Sequence, residues 1–135
     1  TAGTVTAVVR GSVAVGNAGT GIVAITDAAG EVAYLAADDS GAMRNGFSGF
    51  AANSNSLGTV TLVLNQALAT DNAGSGMFAS GSNTTVSISA SALSRNGGNG
   101  MSQNAASLVR SHQNNAVSGN VFPDTFGLIT NVGTL

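Results

Sequence analysis

Asn72-Ala-Gly-Ser-Gly-Met77 is one of four copies of the same short pattern, an Asn and a Gly four positions apart followed by an apolar residue. The other copies lie at 17–22, 45–50 and 96–101. Successive copies begin 28, 27 and 24 residues apart. Self-similarity at a period of roughly 20–50 residues is the sequence signature of a solenoid, in which each repeat forms one turn of chain.

Each repeat divides into short segments that favour β-strands. An alternating, β-prone run precedes each Asn, and these runs lie at residues 5–9, 32–35, 60–64 and 86–88. Three strand candidates separated by turn residues can be read in the third repeat, at 59–65, 67–70 and 76–79. Helical periodicity is absent, because Gly and Asn interrupt every window long enough to hold a helix. The sequence therefore predicts an all-β parallel solenoid whose coils pair at a spacing of about 4.8 Å.

The composition fits a narrow coil better than a disordered chain. Ala, Gly, Ser and Asn account for 71 of the 135 residues, yet 43% of the chain is hydrophobic and only 7% is charged. A disordered segment has few apolar residues and a high net charge. We expect small residues to fill the interior of the coils and Gly to supply positive φ at the corners.

The recurrent Asn is predicted to have a structural role. At a tight turn Asn tolerates the left-handed region, and its amide can bond to the backbone or to the next Asn above. The residues expected to form this ladder along one corner are Asn17, Asn45, Asn72 and Asn96. The less favoured alternative is a row of Asn side chains that binds a ligand.

These repeats resemble the right-handed parallel β-helix proteins of the pectin-lyase-like superfamily, over nearly the whole chain. The stretch 108–120, Leu-Val-Arg-Ser-His-Gln-Asn-Asn-Ala-Val-Ser-Gly-Asn, resembles the last coil of a group of uncharacterised bacterial repeat proteins. The resemblance implies one right-handed β-helix domain over residues 1–135, with about five coils of 24–28 residues and three short strands per coil. We expect coils near 4–30, 31–58, 59–84, 85–107 and 108–121, followed by a C-terminal cap at 122–135.

Alignment on the repeat Asn places charged residues in vertical columns. The residues just before the Asn in the second, third and fourth repeats are Arg44, Asp71 and Arg95, a plus–minus–plus ladder. Seven residues before the Asn lie Arg10 and Asp38, a second opposite-charge pair, followed by Asn65 and Ser89. Charge complementarity between coils explains both columns, so we favour fold registration over a catalytic or ligand-binding row.

Several classes of function are excluded or disfavoured by counts alone. Four Arg, no Lys and a net charge of −2 give little capacity to neutralise nucleic-acid phosphates. The absence of Cys excludes a thiol nucleophile, and the single His112 excludes any site that needs two imidazoles. The sequence contains no run of 18 apolar residues, so it predicts no membrane-spanning segment. We expect no cofactor and no metal site.

The superfamily resemblance raises polysaccharide lyase and glycoside hydrolase as alternatives. Asp38-Asp39 resembles the paired Asp of pectin hydrolases, and Arg10 is the nearest basic candidate. The companion motifs Asn-Thr-Asp, Gly-His-Gly and Arg-Ile-Lys of those hydrolases are missing. The six acidic residues are dispersed among different coil offsets, so no local cluster supplies the six to eight oxygens that Ca²⁺ takes.

The ends of the chain differ in composition. Bulky residues concentrate between Phe122 and Leu135, which predicts the cap, whereas no amphipathic segment precedes Val5. Since an uncovered coil exposes unpaired backbone, we expect either a homodimer through the N-terminal coil or further coils that continue the solenoid at this end. The predicted function is a secreted or cell-surface structural module, without catalysis, whose strand faces contact polysaccharide or protein. The alternative is a polysaccharide-active enzyme or a degenerate remnant of one.

Overall fold

A computed structural model describes residues 2–55 and 57–133, and within these ranges it contains strands and turns but no helix. The strands, in chain order, are β1 Thr4–Arg10, β2 Val13–Val15, β3 Ile22–Thr26, β4 Val32–Asp38, β5 Gly41–Met43, β6 Phe50–Ser54, β7 Thr59–Asn65, β8 Leu68–Thr70, β9 Met77–Ser80, β10 Thr84–Ser89, β11 Ala92–Ser94, β12 Met101–Gln103, β13 Leu108–His112, β14 Ala116–Ser118, β15 Thr125–Phe126 and β16 Ile129–Val132. Three consecutive strands make one coil, and about five coils stack along the solenoid axis.

The coils build three parallel sheets, each with one strand from every coil. Sheet A has the order β1-β4-β7-β10-β13-β16, sheet B has β2-β5-β8-β11-β14, and sheet C has β3-β6-β9-β12-β15. Register follows the repeat, so that Arg10 pairs with Asp38 and Asp38 with Asn65. The predicted parallel solenoid with three strands per coil is confirmed, and the strands predicted in the third repeat differ from the observed ones by one residue at most at each end.

The interior is filled by complementary columns of side chains, not by small residues alone. The inward column of sheet B is small in the first three coils, with Ala14, Ala42 and Ala69, the last two of them buried. Sheet C has two inward columns: one holds the larger side chains of Phe50, Met77 and Met101, which are at most 2% exposed, and the other holds the buried Ala24, Ala52 and Ala79. The expectation of an interior of small residues was therefore correct for the Ala columns and wrong for the column of Phe50, Met77 and Met101. Small and large side chains together fill the interior, as close packing requires.

The predicted C-terminal cap is not a lid over the last coil in the part that the structure describes. β15 pairs with β12 and β16 pairs with β13, so the segment completes the fifth coil and begins a sixth turn. Parallel continuation satisfies the backbone groups of the preceding strands, which a segment folded across the end would leave unpaired. The bulky side chains Phe122 and Leu128 are 61% and 76% exposed. Residues 134 and 135, which belong to the predicted cap, lie outside the described residues.

The two ends of the solenoid interior have different chemistry. At the N-terminal end, Val5 belongs to an inward column yet is 65% exposed, because nothing among the described residues stacks on β1. At the other end, one inward column of sheet A becomes polar, where Ser111 pairs with Asn131, while the neighbouring inward column ends in the pair Val109 and Ile129. Water can solvate the polar side chains at the C-terminal end at little cost, whereas the exposed apolar side chains at the N-terminal end keep a hydrophobic penalty.

Candidate functional site

The repeat Asn side chains form a continuous hydrogen-bonded ladder at the corner between sheets B and C. The Nδ2 of Asn45 donates to the Oδ1 of Asn72 at 2.9 Å, and Asn72 repeats this contact with Asn96 at 2.9 Å. Asn17 starts the row with a 2.9 Å bond to Asn45. The structure adds a fifth member, Asn120, whose Oδ1 accepts from Asn96 at 2.9 Å. The same 24-residue spacing after Asn96 was the signal in the sequence for this additional residue.

The ladder leaves no polar atom of its central members available to a ligand. Asn72 is 1% exposed, its Oδ1 accepts from both the backbone N–H and the Nδ2 of Asn45, and its own Nδ2 also donates to the carbonyl of Ala42 at 2.9 Å. The row ends at Asp124, which accepts from Asn120 at 2.9 Å. Such a fully paired buried row fixes the register between coils.

The left-handed corner position belongs to the residue before each ladder Asn, and not to the Asn itself. Its φ is 53° at Arg44, 56° at Asp71 and 54° at Arg95, with Gly at this position only in the first and fifth coils. The expectations that Gly supplies the corners and that Asn occupies the left-handed region were therefore wrong for this corner of the second, third and fourth coils. The reason is that the ladder Asn must point inward, so the turn falls on its outward neighbour, which accepts a strain of order 1 kcal/mol.

The corner charges form one strong ion pair and one longer-range interaction. The guanidinium of Arg95 donates to both carboxylate oxygens of Asp71, at 2.9 and 3.0 Å. Arg44 makes no such ion pair within the described ranges but still acts on Asp71 through its charge. The hydrogen bond from Arg95 is the main cause that holds the pKa of Asp71 below its usual range, the Thr70 hydroxyl adds to it, and desolvation opposes it.

We expect Asp71→Asn to lower the melting temperature at neutral pH but not in acid. Because the folded pKa of Asp71 is depressed, its stabilisation is fully present above the unfolded value of about 3.9 and is lost as the pH falls through the lower folded pKa. Thermal unfolding of the wild type and the variant from neutral pH to about pH 2 measures this. Asp39→Asn is the control, since it removes the same charge from an exposed left-handed corner that has no ion pair within residues 2–55 and 57–133, and we expect it to lower the melting temperature less at neutral pH. A pH-independent deficit in Asp71→Asn would contradict the ion-pair account.

The candidate catalytic residues do not converge. Arg10 bonds to Asp38 at 3.1 Å, and the other oxygen of Asp38 accepts from the Nδ2 of Asn65 at 2.7 Å. Ser89 continues the column with a 3.0 Å bond to the Oδ1 of Asn65. Asp39 follows β4 in the left-handed region, where it lies outside this column. A pair of carboxylates arranged for acid and base roles is thus not formed by these residues.

Two further titratable residues, Glu31 and His112, have local structural partners. One oxygen of Glu31 accepts from the backbone N–H groups of Asp27 and Ala28, both at 3.0 Å, which closes the turn before β4. The ring of His112 lies 2.8 Å from the carbonyl of Gly133 through Nδ1. Within residues 2–55 and 57–133, no three His, Cys, Asp or Glu side chains are grouped to hold a metal ion.

An apolar groove of about 350 Å³ lies on the outer face of sheet C, across the first three coils, and it begins at the edge strand β3. It is lined by Thr20, Val23, Ile25, Phe47, Ser48, Ala51, Asn53 and Phe78. Phe47 is 66% exposed and stands between Gly19 and Gly74 of the adjacent coils, to which its backbone is hydrogen-bonded. Because both of these neighbours are glycines, neither places a side chain beside Phe47. Sequence reasoning missed this groove, and its only signal was the scarcity of aromatic residues elsewhere in the repeats.

No family model, curated protein or solved structure matches this chain. The described residues also contain no helix of the length and apolarity that a membrane crossing requires.

Proposed function

We propose that this chain is a non-catalytic β-solenoid module that binds glycans in the groove on the outer face of sheet C. The observation that carries the proposal is the composition of that groove, in which exposed aromatic and aliphatic side chains are combined with a few neutral polar ones. Small-molecule sites share this plan, with an apolar lining and a few polar groups that fix orientation.

A sugar ring fits this combination of groups. Its C–H face packs on an aromatic ring such as Phe47, whose exposed face offers both hydrophobic area and a π-system. Its hydroxyls find donors and acceptors in the Asn53 amide and the Ser48 hydroxyl, both of which line the groove. None of the lining residues is ionisable, which favours a neutral saccharide over an acidic one.

Glycan binding is tested with Phe47→Ala. We expect this variant to lose about tenfold or more in affinity for the glycans that the wild type retains on a glycan array, since a stacked ring is worth about 0.5–1.5 kcal/mol beyond its buried area. Phe122→Ala is the matched control, because Phe122 occupies the equivalent turn position of the last coil but does not line the groove. Equal binding by wild type and Phe47→Ala, or no glycan bound by either, would overturn the proposal.

The same protein samples can be used to test the alternative function, a polysaccharide-active enzyme. Hydrolase and lyase assays on any bound glycan are expected to show no turnover above the buffer rate. The dispersal of the carboxylates supports this expectation, since Asp38 and Asp71 are each held by an Arg on a neighbouring coil. Turnover that is lost in Asp38→Asn would favour the enzyme.

Relationship to the pectin-lyase-like superfamily and a secreted or cell-surface location are parts of the same proposal. The parallel solenoid architecture and the low charge of the faces support them. Recovery of the protein from the cell interior alone, and not from the medium or the cell surface, would contradict the location.

We also propose that two chains pair through the N-terminal coil. The support is that β1, β2 and β3 each have a strand partner on one side only among the described residues, beside the exposed Val5. Light scattering is expected to show a dimer at high concentration that Val5→Lys weakens. A monomer at every concentration would contradict this pairing.

A further inference from the structure

The chain contains three Asn-Gly pairs, Asn45-Gly46, Asn96-Gly97 and Asn99-Gly100. Asn is thermolabile, and a following Gly increases this because no Cβ hinders the approach of its amide nitrogen to the Asn side chain. That nitrogen forms a bond to the Asn Cγ, the bond from Cγ to the side-chain nitrogen breaks, and ammonia leaves with the displaced proton. Water then opens the resulting succinimide to aspartate or isoaspartate. In the unfolded chain the three pairs have the same chemistry, so differences between them must come from the fold.

The first pair is protected because both reacting groups are engaged. Asn45 is 2% exposed, its Nδ2 donates to Ala14 and Asn72, and its Oδ1 accepts two bonds from Asn17. The amide nitrogen of Gly46, which would be the nucleophile, donates to the carbonyl of Asn17 at 2.8 Å. Reaction therefore requires the ladder and the adjacent turn to open together.

The second pair, which lies two coils further along the solenoid, is protected in the same way. Asn96 is completely buried, and its Nδ2 donates to Ala69 and Asn120. The amide nitrogen of Gly97 donates to the carbonyl of Asn72 at 2.7 Å. Both ladder pairs thus react only through open states of the chain.

In the third pair, both the side-chain amide of Asn99 and the backbone amide of Gly100 have fewer hydrogen bonds than their counterparts in the ladder pairs. Asn99 is half-buried, and its side chain makes one hydrogen bond within the described ranges, from Nδ2 to the carbonyl of Pro123 at 2.6 Å. In the preceding coils the amide of the equivalent Gly donates to the carbonyl of the next coil, as Gly76 does to Asn99 at 2.9 Å. In the fourth coil the Pro123 carbonyl, which is the equivalent acceptor, accepts from the side chain of Asn99, and the amide of Gly100 has no acceptor among the described residues.

We propose that Asn99 is a site of spontaneous deamidation in the folded protein, whereas Asn45 and Asn96 are preserved by the fold. Asn99-Gly100 is the one pair of the three in which the nucleophilic nitrogen, the amide of Gly100, donates to no acceptor among the described residues. The leaving side-chain amide of Asn99 has a single hydrogen-bond partner there. The product carries a new negative charge at the surface of the fourth coil.

Deamidation at this position has a local structural consequence. An aspartate or isoaspartate at position 99 cannot donate to the Pro123 carbonyl, and its charge faces that oxygen instead. The adjacent strand β15 is short and pairs with β12 over two residues, Thr125 and Phe126. The loss of the Asn99 contact therefore loosens the last described coil and leaves the central ladder intact.

The test is peptide mapping by mass spectrometry of the folded protein held at mildly alkaline pH. We expect exchange of an amide for a hydroxyl at Asn99 while Asn45 and Asn96 remain intact. Sites that react only through unfolding are slowed by the unfolded fraction, about 10⁻³ or less, so Asn99 should react at least about a hundredfold faster than either ladder residue. In concentrated urea the three Asn-Gly sites should react at similar rates, and Asn72, which precedes Ala, should lag in both conditions.

Two variants link the chemistry to the structure. Asn99→Gln keeps an amide but slows cyclisation, and Asn99→Asp mimics the product. Hydrogen exchange at the Met101 amide, which donates to Asp124 at 2.9 Å, should be faster in Asn99→Asp than in Asn99→Gln. Gly100→Ala is not used, because its Cβ would overlap the Cγ1 of Val117. The proposal is overturned if Asn99 stays intact in the folded protein while it reacts in urea, or if Asn45 and Asn96 react as fast as Asn99 in the folded protein.

Discussion

Asn72→Ala is expected to destabilise the protein by about 3–6 kcal/mol, a large part of the 5–15 kcal/mol that stabilises a typical domain. The substitution removes four hydrogen bonds of a side chain that is 1% exposed. It leaves two donor hydrogens of Asn45 buried without a partner and removes one hydrogen bond from the carbonyl of Ala42. Each such orphaned group costs about 1–3 kcal/mol, because water cannot replace the lost partner.

Urea denaturation of the wild type and the variant measures this loss. Asn17→Ala is the matched control, since Asn17 has the same type and column but is exposed at the end of the row and only donates to Asn45. We expect it to cost about 1 kcal/mol or less. Asn72→Asp keeps the shape but removes the Nδ2 donors, so it should be as damaging as Asn72→Ala at neutral pH. Similar small losses at Asn17 and Asn72 would contradict the ladder as the main register element.

The period of the sequence predicted the fold because stacking allows little freedom. If each coil has 24–28 residues, a residue lies beside the residue that follows it by one period in the next coil. Arg10 must therefore lie beside Asp38. A register slip by one residue would turn each inward side chain outward. The repeat Asn and the charge columns carry this information directly in their positions along the chain.

The corner conformations and the groove could not be read from the sequence for different physical reasons. Arg95 is an improbable left-handed residue by propensity, and only the inward aim of Asn96 places the turn on it. The groove combines Val23, Phe47 and Phe78 from three coils, on strand and turn positions of different offset. Which of these side chains point outward depends on where each strand begins, and short strands leave that boundary undetermined by pattern alone.

The composition at the C-terminus misled for a related reason. Phe122, Phe126 and Leu128 are bulky in a chain of small residues, which favours a buried cover. The observed register satisfies the backbone of β12 and β13 first, and the side chains follow the pleat to the outside. Backbone pairing therefore decided the path of this segment, and side-chain hydrophobicity did not.

Phe50→Ala is expected to destabilise the protein by about 3–5 kcal/mol. Phe50 is completely buried in the second coil, between Ile22 and Met77 in one inward column of sheet C. The cavity cannot close easily, because the pairing of β6 with β3 and β9 holds the coils at a fixed spacing. Met77 can move partway into the space, since Met is flexible, which sets the lower bound of the range.

The persistence of the cavity separates packing from other causes of instability. Urea denaturation gives the loss, and Phe126→Ala, whose side chain is 56% exposed, is the control that should cost far less. An apolar cavity that stays open binds benzene, so benzene should raise the melting temperature of Phe50→Ala and leave that of the wild type unchanged. If Phe50→Ala loses less than about 1 kcal/mol, the coils have collapsed onto the gap and the interior is softer than the fixed strand spacing implies.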